Sequence, residues 1–489
     1  MKKRFRTFIG FLFAVLLCAV FLTSCNTEHT HDFGEWTVTR QATCIETGER
    51  ARTCSCGEKE TETIEALGHT EVADALVPPT CVELGLKEGK HCSVCNEVTV
   101  KPKFIAMIPH EIDKDRTCRL CGQTNVPSQG LTFDSNGDGT CTVSGMGTCM
   151  ETDLVIPSEH NGERVTAIMS CASRYLESIK IPDTVTSIGW RAFGGCERLK
   201  TVTLPNSLMS IGDEAFQGCY RLTEIEIPDS VTMIGKFAFS QCSAMESASI
   251  GSGVAMIGEN AFDACESLTA VTVSESNENY RSVDGVIFDK KMRTLVCYPR
   301  GKQETEYTVP DSVTYIAEFA FYCCWNLESV VIGEGVVSMG RDAFCGCKNL
   351  VNITLPNGLR SIGNAAFAAC ESLESITIPN SVTMISDEAF NGAYRLTDIV
   401  IPDSVTEIGE YAFYCCWGLT SVTVGNGVTL IDDRAFCGCE KLTDIKYNGT
   451  VKQWQEIILK KDWDTYIEDY TVICTDGTVA KDGTVTLNG

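Results

Sequence analysis

The stretch LTEIEIPDSVTMIGKFAF, residues 222–239, decides the fold. Ile225 and Ile227 alternate with Glu224 and Glu226, which is the pattern of a strand with one buried face. Pro228 ends that strand, because proline cannot donate to a sheet ladder. Val231 and Ile234 form a second short apolar segment, Gly235 permits a turn, and Phe239 plugs the interior. A unit this short cannot bury its own apolar face. It needs a copy of itself on either side.

The copies are present. Phe193, Phe216, Phe239 and Phe262 step by 23, and the series resumes at Phe321, Phe344, Phe367, Phe390, Phe413 and Phe436 with the same step. Three positions after each Phe comes a Cys, at Cys196, Cys219, Cys242, Cys265, Cys324, Cys347, Cys370, Cys416 and Cys439; only Ala393 breaks the series. A fixed period of about 20–29 residues around a Leu-x-x-Ile-x-Ile core marks a leucine-rich repeat. Each rung then adds one strand to a parallel sheet, with Phe and Cys as stacked interior ladders; the Cys slot is small and suits packing. These repeats resemble the BspA-type leucine-rich repeats of bacterial surface proteins, and the resemblance spans about residues 130–475. It implies an α/β solenoid dominated by β, a place on the cell surface, and adhesion to host proteins or other cells.

Working outward, residues 165–446 form the array. The stretch PDSVTYIAEFAFYCCWNLESV (310–330) recurs four repeats on as PDSVTEIGEYAFYCCWGLTSV (402–422), the mark of a duplicated four-repeat block. The step from Phe262 to Phe321 equals two repeats plus 13, so an insertion at about 274–310 is expected to hold a degenerate rung with a hairpin. The strand-like TLVCYP and EYTVP within it are expected to keep the sheet continuous. Residues 129–164 read as an N-terminal cap built from a small β-meander. Asp134, Asn136, Asp138 and Gly139 imitate the start of a calcium loop, but Gly145 stands where the bidentate Glu is needed, which favours a plain turn. Residues 447–489 read as the C-terminal cap, with helical spacing at 450–460 and Trp454 and Trp463 over the last rung.

Ahead of the solenoid lie two further segments. Residues 1–24 combine Lys2, Lys3, Arg4 and Arg6 with an uncharged stretch from Phe8 to Leu22, the layout of a signal peptide. The following Leu-Thr-Ser-Cys25 resembles the bacterial lipobox, which implies a diacylated Cys25 at the mature N-terminus and a lipid-anchored protein on the outer face of the cell membrane. Two acyl chains suffice for stable anchoring. Residues 25–128 form a Cys/His module of three imperfect units, with ATCIETGERARTCSCGE answered by PTCVELGLKEGKHCSVCNE. They resemble the short Cys-x-x-Cys repeats of surface proteins of anaerobic Gram-positive bacteria. The second unit offers His69, Cys81, Cys92 and Cys95 as a tetrahedral zinc set. Disulfides are the alternative, and the sequence leaves both open. The first unit, with Cys54-Ser55-Cys56, departs from the pattern.

The formal net charge of −25 becomes −29 once the four cations of residues 1–24 are removed, which excludes nucleic acid and anionic lipid as electrostatic partners. Only His160 of the 6 histidines lies outside the Cys/His module, with no nucleophile motif beside it and no phosphate-cradling loop elsewhere. The chain therefore reads as a binding protein and not an enzyme, with no cofactor beyond structural zinc. The expected partner is an extracellular protein or glycan; a structural spacer without a ligand is the alternative. Residues flanking the middle apolar position of each strand should face outward. Glu224, Glu226, Thr354 and Thr377 belong to this face, while Trp325 and Trp417 stand one position past the Cys slot. The face lacks the aromatic and Arg anchors of tight interfaces, so weak, multivalent binding is expected. Finally, Cys323 and Cys415 follow their Phe by two positions, while Cys345 and Cys437 follow theirs by one in the next rung. At a rung spacing of about 4.8 Å, Cys323–Cys345 and Cys415–Cys437 are feasible disulfides.

Overall fold

A computed structural model describes residues 30–113 and 117–488, in two compact units divided after Thr124. Residues 1–24, expected to be a signal peptide, and Cys25 lie outside the described residues.

In the second unit each rung contributes a strand to each of two parallel ladders. The first ladder runs through strands such as Glu224–Ile227, Ser247–Ile250 and Ala270–Val273, in strict register with Glu224 beside Ser247 and Glu226 beside Ser249. The second runs through two-residue strands such as Ser210–Ile211, Met233–Ile234 and Met256–Ile257. Alternation sorts the side chains as the sequence pattern demands: Ile225 and Ile227 are buried, Glu224 and Glu226 exposed. The Ala-Phe segments hydrogen-bond from rung to rung as well, Phe216 N–H donating to the Ala238 carbonyl at 2.7 Å and Phe239 N–H to that of Ala261 at 2.8 Å.

The phenylalanines stack into a column. Ring centroids of Phe216 and Phe239 lie 5.4 Å apart and those of Phe321 and Phe344 lie 4.5 Å apart, each pair nearly parallel. The Cys ladder does more than fill space. From Cys219 onward each thiol donates to the carbonyl of the aromatic residue one rung back, for example Cys219 to Phe193 at 3.4 Å and Cys347 to Phe321 at 3.1 Å. Each Phe is flanked at minus two and plus two by left-handed residues, as with Glu214 (φ 55°) and Gly218 (φ 73°) around Phe216. This turn explains the glycines at 195, 218, 346, 392 and 438, since a Cβ costs roughly 1–2 kcal/mol there.

The insertion departs from expectation. Residues Tyr280–Val283 and Val286–Asp289 form the expected hairpin, but Thr294–Cys297 pairs with Tyr315–Ile316 and so joins the second ladder. The first ladder restarts at Glu306–Thr308 without pairing to Ala270–Val273. Instead Val271 N–H donates to Gly285 O at 3.0 Å, and Gly301 N–H to Leu268 O at 2.8 Å. The extra residues wedge between the rungs, and the sheet is not continuous there.

Both caps form. At the N-terminal end Thr132–Ser135 and Thr140–Gly145 make an antiparallel hairpin whose turn is closed by Asp138 accepting from Thr140 N–H at 3.0 Å. At the other end the helix Val451–Glu456 starts with a capping box of Thr450 and Gln453. Trp463 lies edge-on to Phe436 at 6.1 Å, Trp454 lies against Trp463, and both indoles are buried.

Candidate functional sites

In the first unit three short antiparallel sheets carry the cysteines: Thr37–Arg40 with Gly48–Thr53 and Lys59–Ile64, Glu71–Ala73 with Lys90–Cys92 and Val98–Val100, and Gly85–Leu86 with Phe104–Ile105. Strand pairing decides which donors meet. His69 leads into Glu71–Ala73 and Cys92 ends its partner strand, so Ser93 N–H donates to Thr70 O at 3.0 Å and His69 faces the Cys92–Cys95 turn. Cys95 Sγ lies 3.4 Å from His69 Nδ1.

Three of the four residues expected to gather do so; Cys81 does not. The fourth donor is Cys44 of the preceding unit, whose sulfur is 3.7 Å from that of Cys92. The reason lies in the backbone: Leu67 N–H donates to Thr43 O at 2.9 Å, which pins the chain before His69 against the loop bearing Cys44. Cys81 is carried forward in the same way. Ile108 N–H donates to Thr80 O at 3.1 Å, and Cys81 joins His110, Cys118 and Cys121. Its sulfur is 3.8 Å from Cys118 Sγ, and Cys121 Sγ is 3.7 Å from His110 Nδ1. The Cys-Ser-Cys segment, expected to be a poor chelator, nonetheless places Cys54 and Cys56 beside His31, whose Nδ1 is 3.3 Å from Cys56 Sγ. The signal that could have found these sets is the repeated Thr-Cys-x-Glu-x-Gly loop at 43–48 and 80–85, separate from the His and the Cys pair.

The thiols within each set differ. N–H groups of Cys95 and Val94 point at Cys92 and pull it down to about 5, whereas burial pushes Cys44 up to about 11. The third set repeats the first effect: the N–H of Cys56 draws Cys54 down to about 6.

On the solenoid, Glu224 and Glu226 are exposed, as are Thr354 and Thr377. With Thr201, Thr203, Ser247, Ser249 and Thr272 the two glutamates line an open groove of about 760 Å³ on the first ladder. Trp325 and Trp417 are exposed, but neither stands alone. The Arg300 guanidinium sits 4.0 Å from the Trp325 ring, and Trp417 stacks on Tyr394 at 4.3 Å. Arg300 belongs to a feature the sequence reading missed. Tyr298, one repeat period before Phe321, takes the Phe slot of the degenerate rung and stacks on Phe321 at 5.0 Å. Where the stack is interrupted, Asp263, Arg300, Glu318 and Tyr322 line a cavity of about 260 Å³. Burial raises the Asp263 carboxyl, with Arg300 opposing.

The two cysteine pairs of the duplicated block lie on neighbouring rungs. Cys323 N–H donates to Cys345 O at 2.8 Å, and Cys415 N–H to Cys437 O at 2.9 Å. No sulfur–sulfur bond joins either pair in this structure. Stacking sets Cys323 opposite Gly346, not Cys345: its sulfur lies 2.6 Å from where a Cβ on Gly346 would be. His160, the one solenoid histidine, stacks on Phe133 at 3.9 Å.

The fold defines a leucine-rich-repeat β-solenoid. Its repeats match the BspA type leucine rich repeat region in six copies, over residues 169–289, 300–419 and 360–462, and the chain belongs to that family. No curated protein matches it. Among solved structures it is similar to a leucine-rich repeat protein from Eubacterium ventriosum (25% identity, 70% of this chain and 93% of that one, TM-score 0.58). The pneumococcal vaccine antigen PcpA is similar in fold (20%, 71% and 98%, TM-score 0.52). A leucine rich cell surface protein from Faecalibacterium prausnitzii matches at 29% identity over 68% of this chain and 97% of that one, with TM-score 0.45. Among the described residues no helix is long and apolar enough to cross a membrane.

Proposed function

We propose that this chain is a surface-displayed binding protein, held to the outer face of the bacterial membrane by lipid on Cys25 and using its solenoid for adhesion to an extracellular protein or glycan. The observation that carries the reading is the first ladder. Its strands stack in register and present small hydroxylated and acidic side chains outward, gathered at Glu224 and Glu226 into an open groove. Extended ladders of this kind suit macromolecular partners. With no exposed aromatic anchor on that groove, single contacts are weak and many copies on one cell supply the avidity. Binding rather than catalysis fits the lone solenoid histidine, which is engaged by Phe133.

Cells displaying the wild-type chain are compared with Glu224→Lys/Glu226→Lys and Trp325→Ala/Trp417→Ala variants on extracellular-matrix proteins and glycan arrays. Loss of adhesion by the first variant, with unchanged circular dichroism, supports the groove; loss by the second moves the contact to the aromatic edge. If both adhere like wild type while folded, the spacer reading takes precedence.

A further inference from the structure

The first unit has almost nothing to hold it together. Among its described residues the buried ones are Cys44, Cys54, Cys81, Cys92 and Cys118, together with three glycines at 48, 85 and 89. Apolar side chains that would ordinarily build a core are exposed instead, Ile45, Leu67 and Phe104 among them. A module this small without a hydrophobic core requires a covalent or metal staple.

The distances say which. A disulfide needs its sulfurs about 2.0 Å apart. A tetrahedral zinc ion, with Zn–S of about 2.3 Å and Zn–N of about 2.0–2.1 Å, sets sulfurs about 3.8 Å apart and sulfur to nitrogen about 3.6 Å apart. The observed sulfur separations are 3.7 Å for Cys44–Cys92 and 3.8 Å for Cys81–Cys118. The observed sulfur-to-nitrogen separations are 3.4 Å for Cys95–His69 and 3.7 Å for Cys121–His110. All four donor atoms of each set lie within 4.8 Å of one another.

The supporting structure is that of a chelate. Both Cys-x-x-Cys turns close alike, Asn96 N–H donating to Cys92 O and Gly122 N–H to Cys118 O, each at 2.8 Å with the donor residue left-handed. Both Thr-Cys loops are closed by the threonine hydroxyl, Thr43 accepting from Glu46 N–H and Thr80 from Glu83 N–H. With Nδ1 facing the cysteines, His69 turns Nε2 to Glu97 at 3.4 Å, the outer carboxylate that orients a metal-bound imidazole.

We propose that the first unit is a zinc-linked chain, one ion held by Cys44, His69, Cys92 and Cys95 and a second by Cys81, His110, Cys118 and Cys121. Each ion ties the Thr-Cys loop of one repeat to the His and Cys pair of the next. The repeats are therefore staggered with respect to their metal sites, and no repeat is complete alone.

The test is zinc content of the full chain, purified from zinc-replete medium, with Co(II) substitution as the spectroscopic probe. Cys44→Ser and Cys81→Ser each lose one equivalent of zinc. The double variant His69→Ala/Cys81→Ser loses two, because its residues serve different ions; loss of only one overturns the staggered assignment. Co(II) gives the thiolate charge-transfer and tetrahedral d–d bands of a three-sulfur, one-nitrogen site. His91, bonded to Asp74 at 2.6 Å and outside both sets, serves as control. His91→Ala keeps full zinc, and equal loss there also overturns the proposal. A zinc-free wild-type chain with these cysteines in disulfides does the same.

Discussion

Replacing Phe344 by Ala tests what the aromatic column contributes. Phe344 is fully buried, with ring centroids 4.5 Å from Phe321 and 5.6 Å from Phe367. Its N–H to Ala366 O and its carbonyl, which accepts from the Cys370 thiol at 3.3 Å, are backbone groups that the substitution leaves in place. The loss is therefore one of burial and stacking. A core Phe→Ala change costs about 3–5 kcal/mol, and each aromatic pair adds about 0.5–1.5 kcal/mol beyond area burial. Phe344→Ala should fall at the upper end of that range. Phe344→Leu, which keeps most of the apolar volume and forfeits two ring contacts, should cost about 1–3 kcal/mol. Phe193 has one Phe neighbour, Phe216 at 5.2 Å, so Phe193→Leu should cost about half as much as Phe344→Leu. The assay is urea unfolding followed by circular dichroism, with hydrogen exchange to locate the damage. Repeat arrays couple mainly through nearest neighbours, so protection should fall around Phe321 and Phe367 and remain near Phe216. A cost below about 1 kcal/mol for Phe344→Ala, the size of an ordinary surface change, refutes the column as a principal source of stability. Equal loss of protection at Phe216 and Phe367 refutes its local character.

Four further outcomes follow from particular contacts. Cys370→Ala should destabilise more than Cys370→Ser, because a hydroxyl can still donate to the Phe344 carbonyl; chemical denaturation that ranks them the other way removes the thiol bond from the account. Burial holds the Asp263 carboxyl above its ordinary value, so its contribution to stability is complete below the unfolded pKa of about 3.9 and is lost as pH rises through the folded value. Asp263→Asn should accordingly raise the melting temperature at pH 7 and give no gain near pH 3, and a less stable Asn variant at pH 7 contradicts this. Peptide mapping without reduction should find Cys323, Cys345, Cys415 and Cys437 as thiols, and a Cys323–Cys345 cross-link would show that the rungs can slip by one position. Cys25→Ala should leave the chain unprocessed or shed from cells; unchanged membrane retention and gel mobility would end the lipid-anchor proposal.

Much of the solenoid was legible because a strict repeat period samples every structural position many times. One rung read correctly fixes all of them, and the inward Ile225 and outward Glu224 needed only strand alternation. Legibility ended where a position occurs once. Tyr298 occupies a Phe slot, but the inserted segment obscured its spacing from Phe262, and nothing local shows that Thr294–Cys297 serves the second ladder. In the first unit the ligand types and the Cys-x-x-Cys turns were readable, but the partnership of Cys44 with His69 was not. It depends on Leu67 bonding back to Thr43, a contact between separate segments that no spacing rule contains. Grouping His69 with Cys81 assumed that a sequence repeat and a structural unit share boundaries.

The insertion shows how an array tolerates such a break. The column of rings runs from Phe193 to Phe262 and resumes with Tyr298 stacked on Phe321, and the apolar interior divides at the same place. One hairpin strand spans the division. In Val286–Asp289, Val286 and Phe288 pack with the rungs that follow while Ile287 packs with those that precede. Alternation along a strand normally separates core from solvent. Here all three residues are buried, and alternation assigns them to two cores. Strand pairing from rung to rung is given up on both ladders, since neither Ala270–Val273 nor Met256–Ile257 pairs with a strand of the rung that follows, while apolar contact passes through one hairpin strand. The interruption also creates the cavity that Asp263 and Arg300 line among apolar side chains, a place in the solenoid where the repeat cannot supply its own partner.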